Sequence, residues 1–423
     1  MAVETAAWVT QLVDTNPVVG DPVGEGDDHL RMVKTVLKNS FPSTSTTAIV
    51  PNVSGQTGKY LTNDGTDTSW GTVSAARNMI INGAMQIAQR SVSVQKQYNT
   101  SNGYYTCDRV RTSQGNLDNA VWTMTQDSHL LTGPAGFPNS WKITVDTAET
   151  ALAADENLQF QYNIEANSCQ NLAYGTAGAK TTTTSFWVKS DVTGTYSLYL
   201  YSYDANRSIG GTYTISSADT WEYKTVTLVG DTAGTGINND SGVGVTLYFP
   251  LSAGTDRTAT DNTSWGAHAT GKTAYGQTAN LLASATDYWQ ITGLQFEIGS
   301  VATPFEHKTY GQELEDCERY YQTYASGFFG FVVTTSIIDA GFSFRKRMRA
   351  SPSVTLLDDS PAFSEINVAT RTGSSSSITT SANYPDGTGM VRIDGFGGAA
   401  TANRVAIGYN GSTDMLGFDA EIT

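Results

Sequence analysis

The stretch of sequence that decides the fold is WQITGLQFEIGSVATP, residues 289–304. Its apolar and polar residues alternate, which predicts a β-strand with one face against a core. The phase of the alternation shifts at Gly293, so we predict a β-bulge at that glycine. Pro304 ends the pattern. The apolar positions before and after the shift are Trp289, Ile291, Leu294, Phe296 and Ile298.

The next residues, 305–324, read FEHKTYGQELEDCERYYQTY. Here apolar residues recur at steps of four and three while acidic residues fall between them, which predicts an amphipathic helix, placed at 309–326. A helix this short is stable only if its apolar side is buried. We therefore expect it to dock either onto the preceding sheet or onto copies of itself. The predicted oligomer seam is Tyr310, Leu314, Cys317, Tyr321 and Tyr324.

Composition excludes several classes of protein. The 423 residues carry a net charge of −15, which would repel nucleic acid and anionic membranes. No apolar run approaches the ~20 residues of a membrane helix, and the N-terminus lacks the order of a signal peptide, so we expect assembly in a cytoplasm. Cys107, Cys169 and Cys317 have no Cys or His close in sequence, which predicts buried thiols rather than disulfides or a zinc site.

Residues 1–42 carry the pattern of a capped helix. Acidic residues precede a run of apolar positions, Lys34 and Lys38 follow toward its far end, and Pro42 stops it. One interpretation of this segment is an ordinary helical hairpin packed on its own domain. Its predicted residues are Asp27, Asp28, His29, Leu30, Val33, Leu37 and Phe41.

Two long motifs, TGLQFEIGSVATPFEHKTYGQELEDCERYY at 292–321 and DTNPVVGDPVGEGDDHLRMVKTVLKNSFP at 14–42, resemble segments of tail fibres and related appendage proteins of tailed bacteriophages. The resemblance implies that residues 1–42 attach the fibre to other tail proteins. It also implies a body similar to carbohydrate-binding modules, a homotrimer, and a place in the virion after assembly in the host cytoplasm.

Residues 43–76 are polar and predict a linker with a small neck hairpin turning at Asn63-Asp-Gly65. Residues 77–308 predict one jelly-roll-like β-sandwich, because short strands recur between turn signals. The motifs ARNMIINGAMQIAQR at 76–90 and YYTCDRV at 104–110 extend the resemblance into this body. The strand candidates are 121–126, 141–146, 158–164, 181–188, 196–203, 222–229, 243–249 and 288–298.

Residues 327–423 predict a smaller C-terminal β-sandwich. RKRMRASPSVTL, at 345–356, resembles a strand turn in terminal domains of such fibres. An N-terminal attachment would leave this body most distal, and its loops at 371–390 and 408–414 can vary without disturbing the strands. We therefore predict a receptor-binding tip here. The fold class is mainly β, with a helical anchor and one connecting helix.

Tyr199, Tyr201 and Tyr203 alternate along one strand, with Tyr196, Leu198 and Leu200 on its opposite face. Aromatic faces stack on sugar rings, so this row is the candidate glycan-binding site. A strand buried on both faces, or packed on a neighbouring subunit, is the alternative interpretation.

Evidence for catalysis is weak. The segment 266–273, GAHATGKT, matches the phosphate-binding pattern G-x-x-x-x-G-K-[ST], but a polar lead-in replaces the buried strand that such a loop needs. The histidines fall in different elements, and no G-x-S-x-G occurs. Acidic pairs such as Asp155-Glu156 leave a glycosidase open. We predict no catalytic residue, no metal and no cofactor.

These patterns together predict a tail fibre subunit that adheres to host surface glycans or a receptor and catalyses no reaction. A polysaccharide-degrading tail enzyme and a non-adhesive connector or decoration protein of the virion are the alternatives.

Overall fold

The computed structural model describes two compact units, Met1–Ala75 and Ala76–Thr423. Antiparallel strands dominate the described residues, which confirms the mainly β class. The described residues are 30–36, 59–63, 68–72, 77–100, 102–324, 326–357, 362–365, 369–372, 377–383, 388–394, 404–409 and 416–422.

In the first unit, a helix at 30–36 (α1) confirms part of the predicted helical segment. Its buried residue is Val36, whereas Leu30 is 56% exposed and Val33 is half-buried. Six residues put Leu30 about 120° around the helix from Val36. Strand β1 (Lys59–Asn63) pairs with β2 (Thr68–Thr72), which confirms the hairpin. The predicted residues outside the described chain are Asp27, Asp28, His29, Leu37 and Phe41.

The second unit begins with a β-sandwich of two antiparallel sheets. The seven-stranded sheet has the order β14-β11-β10-β13-β8-β5-β4, and the six-stranded sheet has the order β12-β9-β15-β7-β6-β3. The strands are β3 Ser93–Gln97, β4 Gly103–Tyr104, β5 Arg111–Gly115, β6 Val121–Ser128, β7 Asn139–Thr147, β8 Asn157–Glu165, β9 Thr182–Ser190, β10 Gly194–Ser202, β11 Arg207–Ile215, β12 Glu222–Leu228, β13 Val243–Ala253, β14 Gly266–Ala267 and β15 Tyr288–Ile298. A four-residue helix, α2 (Thr255–Thr258), follows β13.

Strand β15 lies within the six-stranded sheet, paired with β7 and β9. The register with β9 shifts between Thr292 and Gln295, and Gly293 has φ +60°, which confirms the predicted bulge. Four of its five predicted apolar positions are fully buried in the core, whereas Ile298 is 39% exposed because the strand ends there. The bulge thus keeps both phases of the pattern on the core side.

Helix α3 (Tyr310–Glu318) begins where the sequence predicts, with Thr309 and Gln312 forming a capping box. It is shorter than predicted. After Glu318 the backbone turns, and strand β16 (Tyr321–Tyr324) pairs with β25 (Leu416–Asp419). A strand that finds a partner satisfies its backbone hydrogen bonds, so the helix does not continue.

The predicted oligomer seam is therefore wrong as a continuous helical face. Cys317 is fully buried and Tyr321 is 5% exposed, both covered by the same chain, while Tyr310 is 61% exposed. Leu314 and Tyr324 are half-buried, and Tyr324 packs its ring edge on Phe418 at 5.6 Å. The seam docks within its own subunit.

The C-terminal body has a three-stranded sheet, β16-β25-β19, and a seven-stranded sheet, β21-β20-β24-β17-β18-β23-β22. Because β25 lies between β16 and β19, the predicted helical segment 309–326 and the body 327–423 share a sheet instead of forming separate domains. The further strands are β17 Ser326–Thr334, β18 Ile337–Ser343, β19 Ser353–Leu356, β20 Ala362–Glu365, β21 Ala369–Thr372, β22 Ser377–Asn383, β23 Thr388–Asp394 and β24 Val405–Tyr409.

Polar side chains join this body to the sandwich. Arg109 and Glu421 form an ion pair in which both side chains are 1% exposed, and the Arg109 guanidinium lies 3.6 Å from the centre of the Tyr320 ring. Near the start of the sandwich, the Asn78 amide donates to Glu306 at 2.8 Å. The 305–324 stretch and the chain end are thus anchored to the sandwich.

All three cysteines are free and buried, as predicted. Among the described residues, no helix is both long enough and apolar enough to cross a membrane.

Candidate functional site

The predicted tyrosine row lies on the outer face of the seven-stranded sheet of the sandwich, on and just beyond β10. The opposite face of β10 confirms the alternation, since Tyr196, Leu198 and Leu200 are fully buried in the core. The row itself is graded in exposure: Tyr199 is buried, Tyr201 is half-buried and Tyr203 is 39% exposed. The alternating sequence gives the face of each residue, but not this gradient.

Neighbouring strands and one loop complete the row. Tyr199 stacks on Tyr248 of β13, with ring centres 4.5 Å apart and planes 8° apart. Tyr201 lies 4.5 Å from the ring of Tyr203 and 4.4 Å from the ring of His268. We call these five residues the tyrosine patch. Sequence reasoning missed Tyr248 and His268, because only strand pairing and the loop after β14 bring them here.

The polar groups of the patch fix its rings. The Tyr201 hydroxyl donates to Asn206 Oδ1 at 3.0 Å, and the hydroxyls of Tyr203 and Tyr248 lie 3.4 Å apart. Burial raises the pKa of Tyr199 well above its usual value. Burial, and then the charge of Lys272, lowers the pKa of His268, which keeps the imidazole neutral at pH 7. The patch is therefore an uncharged aromatic surface.

A cavity of about 500 Å³ opens beside the patch on the same sheet face. Ser197 lines it and lies two residues before Tyr199 on β10, a step of about 7 Å along one face of a strand. None of its described lining residues carries a charge. We call it the hydroxyl cavity, and its lining is Ser197, Gly210, Gly211, Thr212, Thr258, Thr263, Tyr275, Gly276, Gln277 and Thr278.

The lining of the hydroxyl cavity comes from β10, β11 and the loops around 258–263 and 275–278. The amide of Ser197 donates to Gln277 Oε1 at 3.3 Å, and the Gln277 side-chain amide donates to the carbonyl of Ala279 at 3.1 Å, which holds Gln277 in place. Hydroxyls and carboxamides both donate and accept, as ring hydroxyls of a sugar require. In the sequence, these loops are marked only by their Thr- and Gly-rich composition. That composition indicates turns and does not predict a cavity.

A second aromatic surface lies on the six-stranded sheet. This aromatic groove, about 460 Å³, has Trp187 and Tyr223 in ring contact at 5.3 Å and Phe137 and Phe305 in ring contact at 5.0 Å. Gly293 opens it, since a Cβ there would lie 2.9 Å from the Phe137 ring. The full lining is Phe137, Ser185, Trp187, Tyr223, Gly293, Pro304, Phe305 and His307.

Among the described residues, three carboxylates lie close together. Ligand oxygens of Asp118, Glu149 and Glu156 fall within 4.8 Å of one another, and burial and then the neighbouring acids raise the pKa of Glu156. Glu149 and Glu156 are at most 4% exposed, and each accepts a backbone amide, from Asn119 at 2.9 Å and from Ala153 at 2.6 Å. A polysaccharide could not reach this buried pair, so we assign no glycosidase chemistry to it.

The phosphate-loop pattern at 266–273 lies in a different setting from a nucleotide site. The two-residue strand β14 is followed by a three-residue 3-10 helix, Thr270–Lys272, and Lys272 is half-buried. A phosphate site of that kind needs a long helix whose N-terminus faces the loop. The pattern is a surface loop, as predicted from its polar lead-in.

No protein-family model and no curated protein matches the chain. Among solved structures, the enzymatically active domain of tailspike protein 4 from bacteriophage CBA120 aligns at 12% identity with a TM-score of 0.29, over 54% of this chain and 22% of that one. A family 11 carbohydrate-binding module of a Clostridium thermocellum cellulase aligns at 10% identity with a TM-score of 0.25, over 46% and 90%.

A family 61 carbohydrate-binding module in complex with β-1,4-galactotriose aligns at 9% identity with a TM-score of 0.25, over 53% of this chain and 99% of that one. The chain thus spans 22% of the length of the tailspike domain and nearly all of this module. Similarity at this level carries no conclusion about what the chain binds.

Proposed function

We propose that this chain is a bacteriophage tail fibre subunit that binds neutral host glycans through the outer face of the seven-stranded sheet of the sandwich. The observation that carries the glycan site is the tyrosine patch beside the hydroxyl cavity on one strand face. The exposed ring of Tyr203 and the half-buried ring of Tyr201 can stack on the apolar faces of pyranoses, while the hydroxyls and amides of the cavity bond to ring hydroxyls. The absence of charge among the lining residues favours neutral over anionic sugars.

The resemblance of residues 14–42 and 292–321 to tail-fibre segments supports the fibre role, attachment through residues 1–42, a homotrimer and location in the virion. The predicted C-terminal tip depends on loops at 371–390 and 408–414, but the first of these ranges is wrong as a single loop, because it contains strand β22 (Ser377–Asn383) and parts of β21 and β23. Residues 410–414 of the second range lie outside the described residues. We therefore place the first candidate site on the sandwich and keep the tip as a prediction.

Glycan-array binding of the full chain tests the site. Tyr203→Ala should weaken binding about fivefold, because one ring contact contributes about 1 kcal/mol. Tyr223→Ala is the matched control, since Tyr223 is 45% exposed on the opposite sheet. If Tyr223→Ala removes binding and Tyr203→Ala does not, the site is the aromatic groove. If neither change affects glycan binding, the C-terminal tip becomes the candidate binding site.

Two further assays separate the alternatives. Reducing ends released from a bound polysaccharide would identify a depolymerase, and binding without release supports adhesion. Removing residues 1–42 should abolish incorporation into particles and leave glycan binding intact, because Ala76–Thr423 is a compact unit of its own. Equal incorporation of the shortened chain would place the attachment elsewhere.

A further inference from the structure

One face of the seven-stranded sheet in the C-terminal body carries a group of exposed apolar side chains. The other face is in the core, where Val332, Ile338, Ala340, Val391 and Ile393 are at most 1% exposed. Among the side chains that the structure describes, the open side carries two exposed phenylalanines, two valines and a methionine. We call it the C-terminal sheet face, and its exposed members are Phe329 at 63%, Phe331 at 45%, Val405 at 42%, Val333 at 39% and Met390 at 38%.

Strand register makes these residues a continuous surface. Phe329 pairs with Gly341 of β18, and Gly341 pairs with Met390 of β23. Phe331 pairs with Val405 of β24 on its other side. The two phenylalanines alone expose roughly 200 Å². Contiguous apolar surface of this kind on a folded chain marks an interaction site.

The face contains both a projection and a notch. A Cβ at Gly341 would meet no atom within 4 Å, so the sheet is open there, directly between Phe329 and Met390. A ring projecting from one copy of the face can enter the notch of another copy. Around a threefold axis the projection of each copy can meet the notch of the next, which favours further copies of the chain over a glycan, since a glycan would need hydroxyl and amide partners.

The charge on this face also favours a copy. Asp339 and Arg392 lie beside Phe331 in the register and bond to each other at 2.8 Å. The Arg392 guanidinium lowers the pKa of Asp339, so the acid stays ionised and paired at neutral pH. The centre of the face is thus neutral, and copies can meet there although each chain carries −15.

We propose that the C-terminal sheet face is the contact between copies of this chain, with Phe329 of one copy seated over Gly341 of the next. The inference rests on the homotrimer of the proposed function and moves its contact away from the 310–324 seam, whose Cys317 and Tyr321 are buried in their own subunit. A stable contact buries about 800 Å² per partner, so these side chains form the centre of the interface and the sheet around them its rim.

The test compares two glycine-to-lysine changes by light scattering of the full chain at micromolar concentration. Gly341→Lys fills the notch, its Cβ meets no atom within 4 Å, and the variant should give a mass near the 45.2 kDa of one chain. Gly311→Lys is the matched control, because a Cβ at Gly311, on helix α3, also meets nothing within 4 Å. It should leave the mass of the wild-type oligomer unchanged.

A second variant keeps the test informative if Gly341→Lys does not fold. If circular dichroism shows that Gly341→Lys is unfolded, Phe329→Thr with Phe331→Thr replaces it, since threonine suits a strand and both side chains are exposed. A monomeric wild-type chain, or an oligomer that persists in the folded notch or phenylalanine variant, would overturn the proposal. So would an oligomer broken by Gly311→Lys alone.

The experiments distinguish a wrong contact between copies from a wrong glycan site. An oligomer that the notch variant breaks, in a chain that binds no glycan, supports this contact and refutes the proposed function. A monomeric wild-type chain whose glycan binding is lost in the phenylalanine variant assigns the face to a glycan and refutes the contact between copies.

Discussion

At the scale of single residues, the Arg109–Glu421 pair links the last residues of the described chain to the sandwich. Both side chains are 1% exposed, and Arg109 also donates to the carbonyl of Asn163 at 2.7 Å. Glu421→Ala would leave a buried guanidinium without its counter-charge, so we expect a loss of about 3–5 kcal/mol in the free energy of unfolding. Urea unfolding of Ala76–Thr423 measures it.

The exposed pair Lys346–Glu315, at 3.4 Å with side chains 44% and 65% exposed, supplies the control. Glu315→Ala should cost less than about 1 kcal/mol, because water already screens that pair. Equal losses for the two variants would show that the buried pair does not anchor the C-terminal body.

Asp108 gives the fold a pH dependence. It is 1% exposed, and burial raises its pKa to about 6, against the opposing charge of Arg90 and the bonds from Gln89. Between the ordinary value of 3.8 and this one, the folded chain binds the proton more tightly than the unfolded chain. Its stabilising contribution is thus complete below pH 3.8 and is lost as the pH rises through about 6.

We expect the free energy of unfolding to fall by about 3 kcal/mol over this interval from Asp108 alone. The side chain introduced by Asp108→Asn does not titrate. The free energy of unfolding of this variant should therefore not show this fall with pH, even if its value differs from that of the wild type. Parallel curves for the two proteins from about pH 4 to 7 would contradict the assignment.

At the scale of elements, β15 was predictable because its signal is local: alternation, with Gly293 marking the shift of phase. The start of α3 was predictable for the same reason. Its end was not, since Tyr321 and Tyr324 fit a helix by their spacing of three and become a strand only because Leu416–Asp419 pairs with them. Pairing across more than 90 residues leaves no local trace.

The candidate site likewise has one part that the sequence predicts and another that only the tertiary structure reveals. Alternation gives the face of Tyr199, Tyr201 and Tyr203, whereas Tyr248 and His268 reach them only through tertiary structure. The hydroxyl cavity is built from loops whose sequence predicts turns, and turn-forming residues do not specify what a loop faces.

Strand β25 supports the whole C-terminal body, since it pairs on one side with β16 and on the other with β19. Phe418 is fully buried and its ring contacts Phe342 at 4.3 Å and Phe344 at 5.4 Å. Ending the chain at residue 415 should therefore unfold this body and leave the sandwich folded. Hydrogen exchange would show β17 and β18 losing protection while β8 and β13 keep theirs.

Phe418→Ala is the milder form of the same test, with an expected loss of about 3–5 kcal/mol. Unchanged protection of β17 and β18 in the truncated chain would show that the seven-stranded sheet of the C-terminal body is stable without β25.

At the scale of the whole molecule, charge and copy number act on adhesion in different ways. Each chain carries −15, which repels an anionic cell surface, but no described lining residue of the hydroxyl cavity is charged. Salt should therefore leave the affinity of one chain for a free neutral glycan nearly unchanged. It should strengthen binding to whole cells, because added ions screen the long-range repulsion.

The Gly341→Lys chain separates charge from copy number. As a monomer with an intact tyrosine patch, it should bind free glycan as the wild type does, yet bind cells at least 100-fold more weakly, because linked sites gain from effective concentration. Titration calorimetry with the glycan and a cell-binding curve at low and high salt provide the two readings. Equal cell binding by the monomer and the oligomer would mean that a single site suffices. Cell binding that weakens with salt would mean that charge attracts this chain to its host, and would contradict a neutral receptor.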